Sequence, residues 1–175
     1  GVGPGDRVAL ISDNRIEWAI TVHATLGLGA VYVPMSESQT REDWAYILRD
    51  SGAKVVFGAK RDIVRALDEA KPSIPTLQHV CGFDLDASDA RSFAHLLASG
   101  RALPKLPKAN IAPSDPAGFV YTSGTTGEPK GVVLTHANFC SNINDLTPLF
   151  PLTSEDRSLA FLPWAHAFGQ TAEFY

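Results

Sequence analysis

Residues 121–131, with the sequence YTSGTTGEPKG, connect two apolar runs. The first run, Gly118–Thr122, includes the Tyr121 and Thr122 of this stretch, and the second run is Val132–Leu134. The stretch 121–131 contains four small hydroxyl side chains, three glycines and one lysine. Glycine lets successive backbone N–H groups turn into one concavity, and the hydroxyl groups and the lysine add further donors. Because the oxygens of a polyphosphate need many donors at once, this composition predicts a phosphate-binding loop.

A plain hairpin turn is the simpler interpretation, because Gly, Ser, Thr and Pro are ordinary turn residues. Hairpin loops usually run about two to five residues, however, and this one is longer. The Walker pattern is absent, since Lys130 is followed by Gly131 rather than by Ser or Thr. Gly27, Gly29 and Ala30 are a poor match to a dinucleotide fingerprint. Kinase-like and dehydrogenase functions are therefore disfavoured.

Upstream of the loop, short apolar runs alternate with helical patterns, which is typical of β-α-β units around a mostly parallel sheet. The fold class predicted is α/β. Asn14 is predicted to cap the first helix, with Glu17 completing a capping box, and Thr40 is predicted to cap the second. Further helices are predicted at Asp62–Ala70, around Phe93–Leu97 and at His136–Leu146. Strands are predicted at Arg7–Ile11, Val31–Val33 (stopped by Pro34), Lys54–Phe57, Leu77–Val80, Gly118–Thr122, Val132–Leu134 and Ser158–Leu162.

A proline-rich connector, residues 101–116, interrupts this alternation, because prolines at 104, 107, 113 and 116 sustain neither a helix nor a central strand. The predicted organisation is a β-α-β portion at 1–100, the connector, and a segment at 117–175 that carries the loop. The 175 residues are 45% hydrophobic and carry a net charge of −4, which disfavours nucleic acid as a partner. The two cysteines, Cys81 and Cys140, are too few for a disulfide framework, so a cytoplasmic location is expected.

Residues 121–131 closely resemble the phosphate-binding signature of the adenylate-forming superfamily, which includes acyl-CoA synthetases, adenylation domains and luciferase. The stretches Leu26–Pro34 and Leu162–Gly169 resemble two further family segments, in the family's order. The sequence LPWAH at 162–166 and the opening Gly5–Leu10 look most like long-chain fatty acyl-CoA synthetases. The resemblance covers essentially the whole chain and implies the N-terminal part of the large layered α/β domain of these enzymes.

What the resemblance implies is a fatty acid–CoA ligase that uses ATP, Mg²⁺ and coenzyme A. A fatty carboxylate would attack the α-phosphate of ATP, and coenzyme A would then displace AMP. His166 would be catalytic and would border the acyl-adenylate site with Trp164, and Thr125 would lie near Mg²⁺. The phosphate cradle would be formed by Thr122, Ser123, Gly124, Thr125, Thr126, Gly127 and Lys130.

Several alternatives stay open at this stage. The family's Tyr-Gly-x-Thr-Glu motif and C-terminal lysine do not occur before Tyr175, so the chain is expected to be an N-terminal fragment without activity of its own. The parent protein could instead adenylate an aryl or amino acid, or be a noncatalytic nucleotide-binding module, or be an interaction domain whose loop is only a turn. Lys130 could be a solvated lysine and Trp164 a core residue. Peripheral membrane contact of the parent protein also stays open, and the oligomeric state is not predicted.

Overall fold

The computed structural model describes residues 1–106, 108–122, 128–151 and 153–174. In these residues, six strands form one sheet in the order β4-β3-β1-β2-β5-β6. Neighbouring strands are parallel, except that β5 and β6 form an antiparallel hairpin. The predicted α/β class is thereby confirmed. The strands are β1 (Arg7–Ile11), β2 (Val31–Met35), β3 (Val55–Gly58), β4 (His79–Gly82), β5 (Pro116–Thr122) and β6 (Lys130–Thr135).

Helices connect the parallel strands. The chain moves from β2 past β1 to β3 and β4, and then returns to β5. Because such crossovers are right-handed, the second and third helices lie on one face of the sheet, and the first and fourth on the other. The helices are α1 (Ile16–Gly27), α2 (Arg41–Asp50), α3 (Arg61–Ala70), α4 (Phe93–Arg101), α5 (His136–Leu146) and the single turn α6 (Ala167–Gly169), with a 3₁₀ turn at Lys71–Ser73 and a π-helical turn at Gln170–Phe174.

The core is built around the two central strands. Residues 8–11 of β1 and all of β2 are buried, as expected of parallel strands covered by helices on both faces. Trp18 of α1 and Tyr32 of β2 are completely buried, and their rings meet edge to face at a centroid distance of 6.4 Å. These two aromatic residues connect α1 to the part of the sheet that carries the predicted loop.

The helix caps follow the sequence in one case and depart from it in another. Thr40 caps α2 as predicted: Asp43 N–H donates to Thr40 Oγ1 at 3.1 Å, and the Asp43 carboxylate accepts from Thr40 N–H. The prediction for Asn14 is wrong. The N-cap of α1 is Arg15, with no side-chain capping bond, and the Asn14 amide is bonded to a distant segment instead.

Two strand predictions are corrected. β2 continues through Pro34 to Met35. It pairs with β5 only through Tyr32 and Gly118, so no hydrogen bond to β5 is needed from position 34. The missing N–H of proline is therefore tolerated there. Ser158–Leu162 is not a strand. A short apolar run becomes a strand only where a partner backbone is available. This run finds none among the described residues, and its Leu159 and Phe161 are 80% and 73% exposed.

The remaining predicted elements agree with the structure to within a few residues, and the bounds of α5 agree at both ends. The connector predicted at 101–116 is one residue too long at each end, because Arg101 ends α4 and Pro116 begins β5; its other described parts, 102–106 and 108–115, contain no helix or strand. Of the helices in the described residues, none is both long and apolar enough to cross a membrane.

Candidate active site

The base of the predicted phosphate loop is a cross-strand pair. Thr122, the last residue of β5, pairs with Lys130, the first residue of β6, and both are exposed. Thr122 therefore ends a strand that runs parallel to β2, and residues 123–129 separate it from Lys130 in the sequence. Ligands of open α/β sheets gather at the carboxyl ends of such strands. The predicted residues Ser123, Gly124, Thr125, Thr126 and Gly127 lie outside the described residues.

Tyr121 fixes the start of this loop. Its hydroxyl donates to the Asp50 carboxylate at the end of α2, with an Oη to Oδ2 distance of 2.6 Å. Burial raises the pKa of the Tyr121 phenol above its ordinary value of 10, and the Asp50 carboxylate raises this pKa further. The Tyr121 ring lies across β6, where a Cβ at Gly131 would come within 3.0 Å of Tyr121 Cζ. Glycine at position 131 therefore leaves room for the ring that anchors the loop.

Other cations at this edge of the sheet are already paired. Arg15 contacts Glu17 and Asp84 at 2.8 and 2.9 Å, and its hydrogen bonds to these carboxylates raise the pKa of the guanidinium. Lys60, which follows β3, contacts Glu37 at 2.6 Å. Neighbouring carboxylates thus offset these charges, and Lys130 is the cation adjacent to the loop itself.

The second group of predicted residues lies in one segment, residues 161–173, called here the His166 segment. His166 is exposed and is the N-cap of α6. The segment is closed on itself by Glu173, whose carboxylate accepts the backbone N–H groups of Phe161 and Leu162 at 3.0 to 3.1 Å. The two ends of the segment are therefore held together by charge-assisted hydrogen bonds.

The His166 segment is held by two side-chain amides, one completely buried and one half-buried. Gln170 is completely buried; its Nε2 donates to the Trp164 carbonyl at 2.7 Å, and its Oε1 accepts from the Tyr32 hydroxyl at 2.5 Å. On the other side, Asn14 Nδ2 donates to the Leu162 carbonyl, and Asn14 Oδ1 accepts the Trp164 N–H, both at 2.8 Å. The backbone around Trp164 is thus held from the turn after β1, through Asn14, and from β2, through Tyr32 and Gln170.

The two predicted pocket residues differ in their surroundings. The Trp164 ring packs against Trp18 at a centroid distance of 5.4 Å and adjoins the main core. This contact supports the alternative in which Trp164 contributes to packing. His166 is exposed, and its imidazole is accessible to a ligand.

The structure joins the two groups through the sheet. Tyr32 in β2 pairs with Gly118 in β5, and β5 leads into the loop, while the Tyr32 hydroxyl reaches Gln170 in the His166 segment. Three residues that support the site were not predicted from the sequence: Asn14, Tyr32 and Gln170. A signal was available for each, since a polar residue in an apolar stretch, or one directly after a parallel strand, needs a partner or a ligand.

The predicted magnesium contact stays a prediction, because the residues that the structure describes do not include Thr125. Within them, no group of three or more His, Cys, Asp or Glu side chains is placed to hold a metal ion. Thr125, the residue predicted to lie near Mg²⁺, falls outside them.

Comparison with known proteins identifies the family. The model of the AMP-binding enzyme family matches residues 1–175. The chain belongs to this family. The resemblance to adenylate-forming enzymes, drawn from the residues around 121–131, is thereby confirmed.

The relatives carry CoA-ligase names with different substrates. The long-chain-fatty-acid–CoA ligase FadD15 of Mycobacterium tuberculosis is 36% identical over 97% of this chain and 29% of its own length. The oxalate–CoA ligase of Arabidopsis thaliana is 31% identical over 98% of this chain and 33% of its own length. The crystal structure of ATP-bound MatB from Rhodopseudomonas palustris is 27% identical, with a TM-score of 0.80 over 98% of this chain and 33% of that one. The chain thus spans about a third of the length of the curated relatives it matches.

Proposed function

We propose that the protein to which this chain belongs is an AMP-forming fatty acid–CoA ligase that prefers long-chain acids. The observation that carries the proposal is the Thr122–Lys130 pair at the base of the YTSGTTGEPKG loop, at the carboxyl end of β5. The family match supports nucleotide chemistry, and relatives named as acyl-CoA ligases support the thioester product. ATP, a fatty acid and coenzyme A are the proposed substrates.

The proposed chemistry has two steps. In the first, a carboxylate oxygen bonds to the α-phosphorus of ATP, and the bond to the β-phosphate oxygen breaks to release pyrophosphate. In the second, the thiol of coenzyme A gives up its proton to solvent, its sulfur bonds to the acyl carbon, and AMP leaves with the electron pair of the broken C–O bond. The first step moves negative charge onto pyrophosphate, so donors placed there stabilise the transition state more than the ground state.

Each predicted residue has a role in this proposal. Thr122, the loop that follows it and Lys130 donate to the departing phosphates. His166 borders the acyl-adenylate with its exposed imidazole, and Trp164 supports that border through its contact with Trp18. Mg²⁺, when bound beside Thr125, would neutralise part of the phosphate charge.

The substrate class is tested by ATP–pyrophosphate exchange in the full-length gene product with acetate, octanoate, palmitate, benzoate, oxalate and amino acids. Each methylene buried in an apolar tunnel contributes about 0.8 kcal/mol, or roughly fourfold in the specificity constant. We expect this constant to rise from acetate to palmitate until the tunnel is full. A flat series would contradict the long-chain preference. Exchange with oxalate alone would favour the second candidate, a small-acid CoA ligase, which the Arabidopsis relative supports.

The role of Lys130 is tested by Lys130→Ala, with the exposed Lys105→Ala in the connector as the matched control. Loss of one donor to a charged transition state costs about a hundredfold in rate. We expect exchange to fall by about this factor in Lys130→Ala while its melting temperature stays unchanged, because the exposed side chain adds little to the core. If pyrophosphate exchange were equally fast in the two variants, Lys130 would be a solvated lysine without a role in phosphate binding. Absence of exchange with every acid, with ATP binding retained, would favour the noncatalytic nucleotide-binding module.

A further inference from the structure

Asn14 occupies an unusual position between the sheet and the His166 segment. Its side-chain amide makes two hydrogen bonds to the same short stretch of backbone. The Nδ2 group donates to the Leu162 carbonyl and Oδ1 accepts from the Trp164 N–H, each at 2.8 Å. A C=O and an N–H two residues apart are the groups that a neighbouring strand would bind. Asn14 therefore takes the place of a strand partner for a stretch that has none among the described residues.

The turn that carries Asn14 is itself held in place. It follows β1 directly, and the Asp13 N–H before it donates to the Glu37 carboxylate at 3.0 Å. On the other side, Arg15 is bonded to Glu17 and Asp84. Because both neighbours are tied to other elements, Asn14 presents its amide from a fixed support.

We propose that Asn14 is a positioning residue for the acyl-binding side of the site. By fixing the backbone at Leu162 and Trp164, its amide sets the place of His166, two residues further along. The inference rests on the proposed function, in which His166 borders the acyl-adenylate. The acid, rather than ATP, is the substrate whose binding depends on Asn14.

Loss of this amide has a specific kinetic consequence. Gln170 and Glu173 still hold the segment, so it stays attached but samples other positions. When only a fraction of the molecules is competent to bind, the apparent dissociation constant rises by the inverse of that fraction. At saturating acid the competent state is restored. The KM for the acid should therefore rise while kcat changes little.

The test compares Asn14→Asp and Asn14→Ala in the full-length gene product. Aspartate keeps the shape and the acceptor for Trp164 N–H but sets an oxygen against the Leu162 carbonyl, whereas alanine removes both bonds. Asn110→Asp is the matched control, because it makes the same chemical change at an exposed position in the connector. The readouts are the KM for acid, the KM for ATP and kcat in pyrophosphate exchange, and amide hydrogen exchange of peptides from residues 161–166.

Loss of one or two such hydrogen bonds predicts a rise of about tenfold in the KM for the acid in both Asn14 variants, with the KM for ATP and kcat within about twofold. Hydrogen exchange at 161–166 should quicken in both variants and not in the control. A fall in kcat with both KM values unchanged would show a general loss of folded protein and overturn the proposal. If hydrogen exchange quickened while the KM and kcat values stayed unchanged, the positioning role would be overturned. If hydrogen exchange stayed unchanged, the contact of Asn14 with Leu162 and Trp164 would be overturned.

Failure of the proposed function gives a different result. A wild-type protein without pyrophosphate exchange for any carboxylic acid would refute the ligase, and the role of Asn14 in acid binding with it. Hydrogen exchange at residues 161–166 would still decide whether Asn14 holds the segment, because that measurement needs no substrate.

Discussion

Gly118 in β5 lies against the ring of Tyr32, and its replacement by alanine tests how tightly the loop hairpin is packed onto the core. A Cβ at position 118 would lie 2.9 Å from Tyr32 Cζ and 3.0 Å from Cε1, both closer than carbon atoms normally approach. The ring has little freedom to retreat. It is completely buried, its centroid lies 6.0 Å from that of Phe139, and its hydroxyl is bonded to Gln170.

The cost of Gly118→Ala has two parts. Insertion of one methyl group into a packed core costs about 1–3 kcal/mol through forced displacement of its neighbours. A displaced Tyr32 ring would also strain or break its bond to Gln170, which adds about 1 kcal/mol. The expected loss of unfolding free energy is therefore about 2–4 kcal/mol. At a denaturant slope of about 2 kcal/mol per molar urea, the unfolding midpoint should fall by about 1–2 M.

Urea denaturation of the full-length gene product, followed by tryptophan fluorescence, measures this shift. Gly27→Ala is the matched control, because Gly27 is the last residue of α1 and a Cβ there would meet no atom within 4 Å. Alanine is favoured over glycine in a helix by up to about 1 kcal/mol, so the control should unfold at the same or a higher urea concentration. If Gly118→Ala also left the midpoint unchanged, the tight contact between β5 and Tyr32 would be refuted.

Two further predictions concern ionisable side chains. Removal of the Tyr121 hydroxyl in Tyr121→Phe should cost about 1 kcal/mol at neutral pH, measured by urea denaturation. Because the pKa of Tyr121 is raised in the folded state, the wild-type advantage should be full below pH 10 and should shrink as the pH rises above it; a constant difference up to pH 11 would contradict the contact with Asp50. Burial raises the pKa of Cys81 to about 11, so iodoacetamide at pH 8 should alkylate the exposed Cys140 and leave Cys81 unmodified until urea unfolds the chain, as peptide mass mapping would show. Rapid labelling of Cys81 in the native protein would contradict its burial.

Local signals predicted most of the fold. The Thr40 cap depends on a residue three positions away, and the bounds of α5 follow from the cap at Thr135 and from helical periodicity. The buried runs of β1 and β2 appear in the sequence as continuous apolar residues. These features were predictable because the interactions that create them lie within a few residues along the chain.

The errors arose where distant residues decided the outcome. Asn14 has the sequence context of a helix cap, but its amide is used by Leu162 and Trp164, about 150 residues later. Ser158–Leu162 is as apolar as a strand and lacks a partner backbone in the described residues, and the availability of a partner cannot be seen in a local pattern. The two strands that flank residues 123–129 were predictable from their apolar runs, whereas the residues that support the His166 segment required the structure.

The attachment of the His166 segment sets a rule for anyone who builds hybrids between relatives of this protein. A substrate-specificity exchange that transplants residues 161–173 alone would carry Glu173 and Gln170 with it but would leave Asn14 and Tyr32 in the recipient. The graft would then fit only a recipient that offers a side-chain amide in the turn after its first strand and a hydroxyl in its second strand, at the same places. A hybrid that receives residues 14 and 32 together with the His166 segment keeps the hydrogen bonds that hold this segment. The unit that can be exchanged is therefore discontinuous in sequence.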